Sequence, residues 1–232
     1  MPRASIRRLA VPLALAGLEL GHPTWSGGVS QGVAAAGGWW IPLHLLLIAA
    51  YGVLIWLLWT PAVVARALLG LFAACNTAFL AVDGVAVGLL ARSDPAAADA
   101  VWTSPMVDAL ANLTGAAWSA ALLATAVQRY PAEAPPAVVV ESALTWAAFV
   151  ASGFVPLAGA ISRVLAVATG ALAVQATGRA AVPFALLVFA AVLRQHVGPE
   201  AALGMLCITL ALAFRRRSTP AAASRPSAAS RG

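Results

Sequence analysis

The chain has 232 residues, of which 62% are hydrophobic and 9% charged, and its mean hydropathy is +0.89. Soluble domains carry about 25% charged residues, so this composition excludes a soluble globular protein and describes an integral membrane protein whose partner is the lipid bilayer. The formal charge of +6 and the pI of about 11.0 do not indicate nucleic acid as a partner, because the arginines lie in short loops and tails where the positive-inside rule accounts for them.

All 14 basic residues are Arg, and with the abundant Ala this suggests a GC-rich bacterial genome; for an all-helical multi-span protein the inner (plasma) membrane is the expected location. The chain opens with a basic cytoplasmic stretch, residues 1–8, followed by a transmembrane domain over residues 9–214. Its start, RASIRRLAVPLALAGLELG, has the basic and then apolar order of a secretory signal, with Ala14 and Ala16 placed for cleavage. The apolar run before Ala16 is short for a signal core, so a retained first helix is expected.

Eight apolar segments follow in order: Leu9 to Gly21, Trp39 to Trp59, Ala67 to Ala91, Val107 to Val127, Val138 to Leu157, Ile161 to Thr177, Ala180 to Leu193 and Ala201 to Phe214. A span takes about 17 to 25 residues, which the second to sixth segments satisfy and the first and last two only approach. The expected fold is therefore an all-α polytopic helical bundle of about eight spans. Six spans remain open if the final pair forms one broken or re-entrant unit. With eight spans and a cytoplasmic N-terminus, only Arg92, Arg163 and Arg194 fall outside, while the Arg215-Arg216-Arg217 run and the C-terminus stay inside. Trp39, Trp40, Trp56 and Trp59 bracket the second segment as interfacial anchors do. The basic tail, residues 215–232, lacks the apolar residues needed to fold.

This topology gives the polar residues depths. Glu19 and His22 fall one turn apart at the outer end of the first helix, and His44 lies one turn below the outer interface in the second. Asn76 falls near mid-membrane and Asp83 in the outer half of the third. Asp108, Asn112, Gly115 and Ser119 form one stripe of the fourth helix. Glu19, His22, His44, Asp83, Asp108 and Asn112 thus converge on the outer third of the bundle. Gly17-x-x-x-Gly21 and Gly84-x-x-x-Gly88 are spaced for close helix approach.

Three roles compete for this outward-facing cluster. A carboxylate within the bilayer costs about 2.5 to 3.5 kcal/mol on insertion scales, so Asp83 needs a partner, and His44, Asn112 and Glu19 are in reach. A structural or partner-binding role follows if an Asp83 to His44 pair joins the second and third helices. A transport or proton-relay role follows if Asp83 and Glu19 exchange protons and a second stripe, Glu141, Thr145, Ala148 and Ser152, continues the path inward. A metal-dependent role of hydrolase type follows if His22 and His44, with His196 as a third imidazole and Asp83 or Glu19 as oxygen donor, bind zinc. The phosphate-binding motif G-x-x-x-x-G-K-[ST] is absent, and Cys75 and Cys207 sit inside apolar segments without metal-site spacing. The loop from His22 to Gly38 is Gly-rich and serves either as a lid or as a flexible connector.

Trp40-x-x-x-His44 followed by Ala-Val-Asp83-Gly84-Val-Ala resembles a broad group of bacterial multi-span membrane proteins that share W-x-x-x-H and V-D-G. The likeness runs through Leu90 and implies a membrane bundle but no activity. More distantly, the order Glu19, His44, Asp83 is similar to that of alkaline ceramidase and progestin-receptor-like membrane hydrolases, which implies zinc and hydrolysis. That family adds a late H-x-x-x-H, where His196 stands alone here, and an early Ser-x-x-x-His, where Trp40-x-x-x-His44 stands.

Overall fold

The structure, a computed structural model, describes residues 3–193 and 196–214; Arg194 and the 215–232 tail lie outside the described residues. All regular structure among those residues is helical: α1 (Arg3–Leu20), α2 (Val29–Ala36), α3 (Trp40–Leu58), α4 (Val63–Leu80), α5 (Val87–Ser93), α6 (Pro95–Trp102), α7 (Pro105–Arg129), α8 (Pro136–Ala151), α9 (Pro156–Thr177), α10 (Val182–Ala190) and α11 (Pro199–Ala213). Four helical runs are long and apolar enough to cross a membrane, namely Val29–Leu58, Val63–Ser93, Pro105–Arg129 and Leu157–Ala190. Leu9–Leu20, Pro136–Ala151 and Pro199–Ala213 are shorter apolar helices. The protein is a helical membrane protein.

The run from Leu157 to Ala190 is not one rod. A Cβ on Gly170 would lie 3.0 Å from Ala185 Cβ, whereas positions this far apart in a straight helix are separated by about 22 Å. The chain reverses at Gly178, whose φ of +65° is one that L side chains rarely adopt. Thus α9 and α10 form an antiparallel pair, as the sixth and seventh apolar segments predict.

The same alternation holds around the bundle. Tyr51 of α3 meets Phe72 of α4, Phe72 meets Trp118 of α7 with ring centres 4.6 Å apart, and Trp146 of α8 donates to the Ala116 carbonyl at 3.1 Å. Thr145 of α8 reaches Thr169 of α9 at 3.4 Å. The ring closes where the Gly198 amide, ahead of α11, donates to the Glu19 carbonyl of α1 at 3.0 Å. Residues 3 and 214 therefore lie at the end of the bundle opposite Glu19. Helix α3 buries Leu43, Leu47 and Leu54 while exposing Leu45, Leu46 and Val53, and a helix apolar on both faces suits lipid on one side and protein on the other.

At the Glu19 end, polar caps build structure that apolar periodicity does not announce. Asp94 accepts from the Ala97 amide at 3.0 Å with Pro95 behind it, which starts α6, and Ser104 with Pro105 does the same for α7. The loop from His22 to Gly38 is not a plain connector, since it contains α2. Ser30 in that helix donates to Asp99 of α6 from both its amide and its hydroxyl, each at 2.9 Å, so α2 and α6 are clamped together.

The third apolar segment also departs from the straight helix expected. Between α4 and α5 it widens into a π-helical turn over Ala81–Ala86, a feature frequent at functional sites, and the turn carries Asp83. A Cβ on the adjacent Gly84 would collide with the His44 side chain, and one on Gly88 would strike Trp40 and Ile41. Gly84-x-x-x-Gly88 is thus a close-approach pair against α3. Around Gly17 nothing lies within 4 Å, so Gly17-x-x-x-Gly21 brings no helix close there. Gly84→Ala is expected to cost about 1 to 3 kcal/mol by overpacking His44, seen as a lowered unfolding midpoint in detergent. Gly70→Ala, which meets nothing within 4 Å, should leave the midpoint unchanged or raise it.

Candidate metal centre

The close approach of α3 and the π-helical turn places His44 beside Asp83, with His44 Nε2 3.4 Å from Asp83 Oδ2 and both side chains buried. His22, in the turn after α1, brings its Nε2 to 3.3 Å from His44 Nε2. His196, in the turn before α11, completes the group, its Nε2 3.4 Å from the same Asp83 oxygen. The ligand atoms of the three histidines all lie within 4.8 Å of one another.

The outer side of each ring is also held. His22 Nδ1 donates to the Pro23 carbonyl at 3.0 Å and His44 Nδ1 to the Trp40 carbonyl at 2.8 Å. A carbonyl can only accept, so each Nδ1 carries the hydrogen, and in the neutral rings both Nε2 atoms present lone pairs to the centre. Two lone pairs facing each other at 3.3 Å require a proton or a metal cation between them. His196 Nδ1 is 3.2 Å from Glu19 Oε2, the outer carboxylate contact that orients metal-binding imidazoles. Neither His196 contact is aligned as a hydrogen bond, so both are read as charge contacts. Asp83 Oδ1, buried at the centre, has no hydrogen-bond partner among the described residues.

Glu19 holds the loop that delivers His196. Its Oε2 accepts from the Val197 amide at 2.7 Å and its Oε1 from the Tyr51 hydroxyl at 2.9 Å. Val197 has φ +67°, uncommon for a β-branched residue and of order 1 to 3 kcal/mol in strain, which the bond to Glu19 retains. Burial opposes charge on His196, but the contacts to Asp83 and Glu19 outweigh it and push its pKa up to about 9. Burial, helped by repulsion from His196, pushes His22 down to about 4. A metal ion must displace the His196 proton.

Indoles cover the group. Trp25 packs against Trp40 and Trp102 with ring centres 5.4 and 6.1 Å apart, and His22 meets the Trp40 ring edge-on at 5.3 Å. The Ser30 to Asp99 clamp holds this cover in place.

Of the six residues expected to converge, the structure brings together Glu19, His22, His44 and Asp83 and adds His196. Asp108 and Asn112 instead line a separate cleft with Arg163 and Glu200, because the face of α7 toward α4 is taken by Trp118 packing on Phe72. Asn76 is buried. Of the second polar stripe, Glu141 and Thr145 both meet Thr169, at 3.4 Å each. The chain matches no protein-family model, and comparisons with curated proteins and with solved structures give no significant match.

Glu19→Ala leaves the Val197 amide without its acceptor, at about 1 to 3 kcal/mol, and removes one partner of the Tyr51 hydroxyl. It is expected to lower the unfolding midpoint and to raise hydrogen exchange selectively at residues 196–198.

Proposed function

We propose that this is an inner-membrane protein of eight spans with both termini cytoplasmic, and that the cluster at its outer end binds a divalent transition metal, zinc by its ligand set. The antiparallel order of the eight apolar segments and the excess of Arg at the end away from the cluster support the topology. One observation carries the metal: three imidazoles gather beside one buried carboxylate, and His22 and His44 are each held at Nδ1 by a backbone carbonyl. Zinc at about 2.0 to 2.1 Å from four tetrahedral donors sets those donors about 3.3 to 3.4 Å apart. The separations His22 to His44, His44 to Asp83 and Asp83 to His196 are 3.3, 3.4 and 3.4 Å, and the histidine ligand atoms, within 4.8 Å of one another, would draw together around the ion. Charge agrees as well, since two formal carboxylates, Glu19 and Asp83, are balanced by one divalent ion with three neutral imidazoles.

Four protein donors under a clamped indole cover make a closed site, the form that structural zinc takes. The ion then staples α1, α3, the π-helical turn and the loop before α11, and the role is structural or partner-binding. A second arrangement, favoured by the unpartnered Asp83 Oδ1, has the three histidines on the metal and Asp83 hydrogen-bonded to a bound water, as in a hydrolase. The likeness in order of Glu19, His44 and Asp83 to zinc-dependent membrane hydrolases supports that alternative, while a proton relay draws support only from Glu19 and Asp83 sharing His196.

Elemental analysis of protein purified without chelator should show near-stoichiometric zinc, lost in His44→Ala and His196→Ala. Glu19→Gln should weaken binding by about 10- to 100-fold, the usual cost of removing an outer-shell carboxylate. Loss of zinc in Asp83→Ala supports the closed site, and retention supports the water-bearing one. Folded wild type free of transition metal contradicts both.

A further inference from the structure

We propose that the cleft holding Asp108 is a binding site for one phospholipid with a primary ammonium headgroup, on the same end of the bundle as the histidine cluster and independent of any metal there. The proposal rests on the chain being membrane-embedded. The cleft has a volume of about 1040 Å³, at the upper end of small-molecule sites, and lies among the first turns of α7, the end of α8 and the start of α9. It exists because small residues face one another there. Gly153, Gly159 and Ala160 line it where larger side chains would close it.

Its polar wall asks for an occupant. Asp108 and Asn112 are both exposed to the cleft, and no described residue hydrogen-bonds either side chain. Asn112 sits one turn further along an apolar helix than Asp108, where water gives way to lipid and a polar group needs a partner. At the rim Arg163 Nη2 donates to both carboxylate oxygens of Glu200, at 2.9 and 3.1 Å, and the rest of the guanidinium fork remains available to an anion. Two carboxylates and one guanidinium leave the rim one negative charge in excess. That balance disfavours an anionic lipid and favours a zwitterion whose ammonium meets Asp108 while its phosphate meets Arg163. An ammonium donates hydrogen bonds that a quaternary choline cannot, so the head is a primary amine. Phe149 and Phe154 supply apolar wall for the upper acyl chains.

The test uses full-length protein in mild detergent, with retained lipid identified by native mass spectrometry after competition among phosphatidylethanolamine, phosphatidylcholine and phosphatidylglycerol in equal amounts. One phosphatidylethanolamine per chain is expected, with its preference over phosphatidylcholine reduced about tenfold in Asp108→Asn, the worth of one charge-assisted hydrogen bond. Ala160→Phe, at an exposed position of the cleft wall, should expel the lipid while leaving the unfolding midpoint in place. Equal retention of the three lipids, preference for phosphatidylglycerol, or phosphatidylethanolamine retained undiminished in either variant overturns the proposal.

Discussion

A carboxylate set on an apolar helix has to be met, and the meeting of Asp83 with His44 organises one end of this protein. In a bilayer no water is at hand to solvate such a group, so its partners must come from neighbouring helices. Asp83 Oδ2 takes two imidazoles, from α3 and from the loop before α11, and His22 joins from α1 through His44. Sequence elements far apart along the chain are drawn to one point. The tight packing there follows from this requirement, since apolar burial gives little drive for helices to associate in lipid.

Two local devices make the meeting geometrically possible. The π-helical turn at Ala81–Ala86 carries Asp83 within the packed face, and Gly84 removes the side chain that would otherwise push α3 away. Glu19 acts at one remove: it holds the Val197 amide and faces the back of the His196 ring, so a backbone conformation unusual for valine delivers the third imidazole. The clamped cover of α2 and α6 shields the result. An isolated Asp to His pair needs no third histidine, and here His22 and His196 join it from opposite ends of the chain.

Much of this was legible in the sequence because intramembrane charge is costly enough to be informative by itself. The helical class follows from composition, and His44, Asp83, Glu19 and His22 follow from depth along alternating helices. What depth cannot supply is azimuth. Asp108 and Asn112 share one end of the bundle with the cluster, yet they face a different cleft, since the rotation of α7 is set by Trp118 against Phe72, a packing contact between residues 46 positions apart. The helices α2 and α6 were hidden because short helices are fixed by caps and a side-chain clamp rather than by long apolar periodicity. Glu19 was visible as a polar residue but not as an outer carboxylate, because that role depends on a loop nearly the whole chain away.

Diffraction from crystals of the purified protein at energies just above and just below the zinc edge asks whether three histidines and an aspartate surround one metal ion. An anomalous peak, present only above the edge, should lie about 2.0 to 2.1 Å from the Nε2 atoms of His22, His44 and His196. Well-ordered imidazoles with no such peak and hydrogen bonds running directly between them would contradict the metal site.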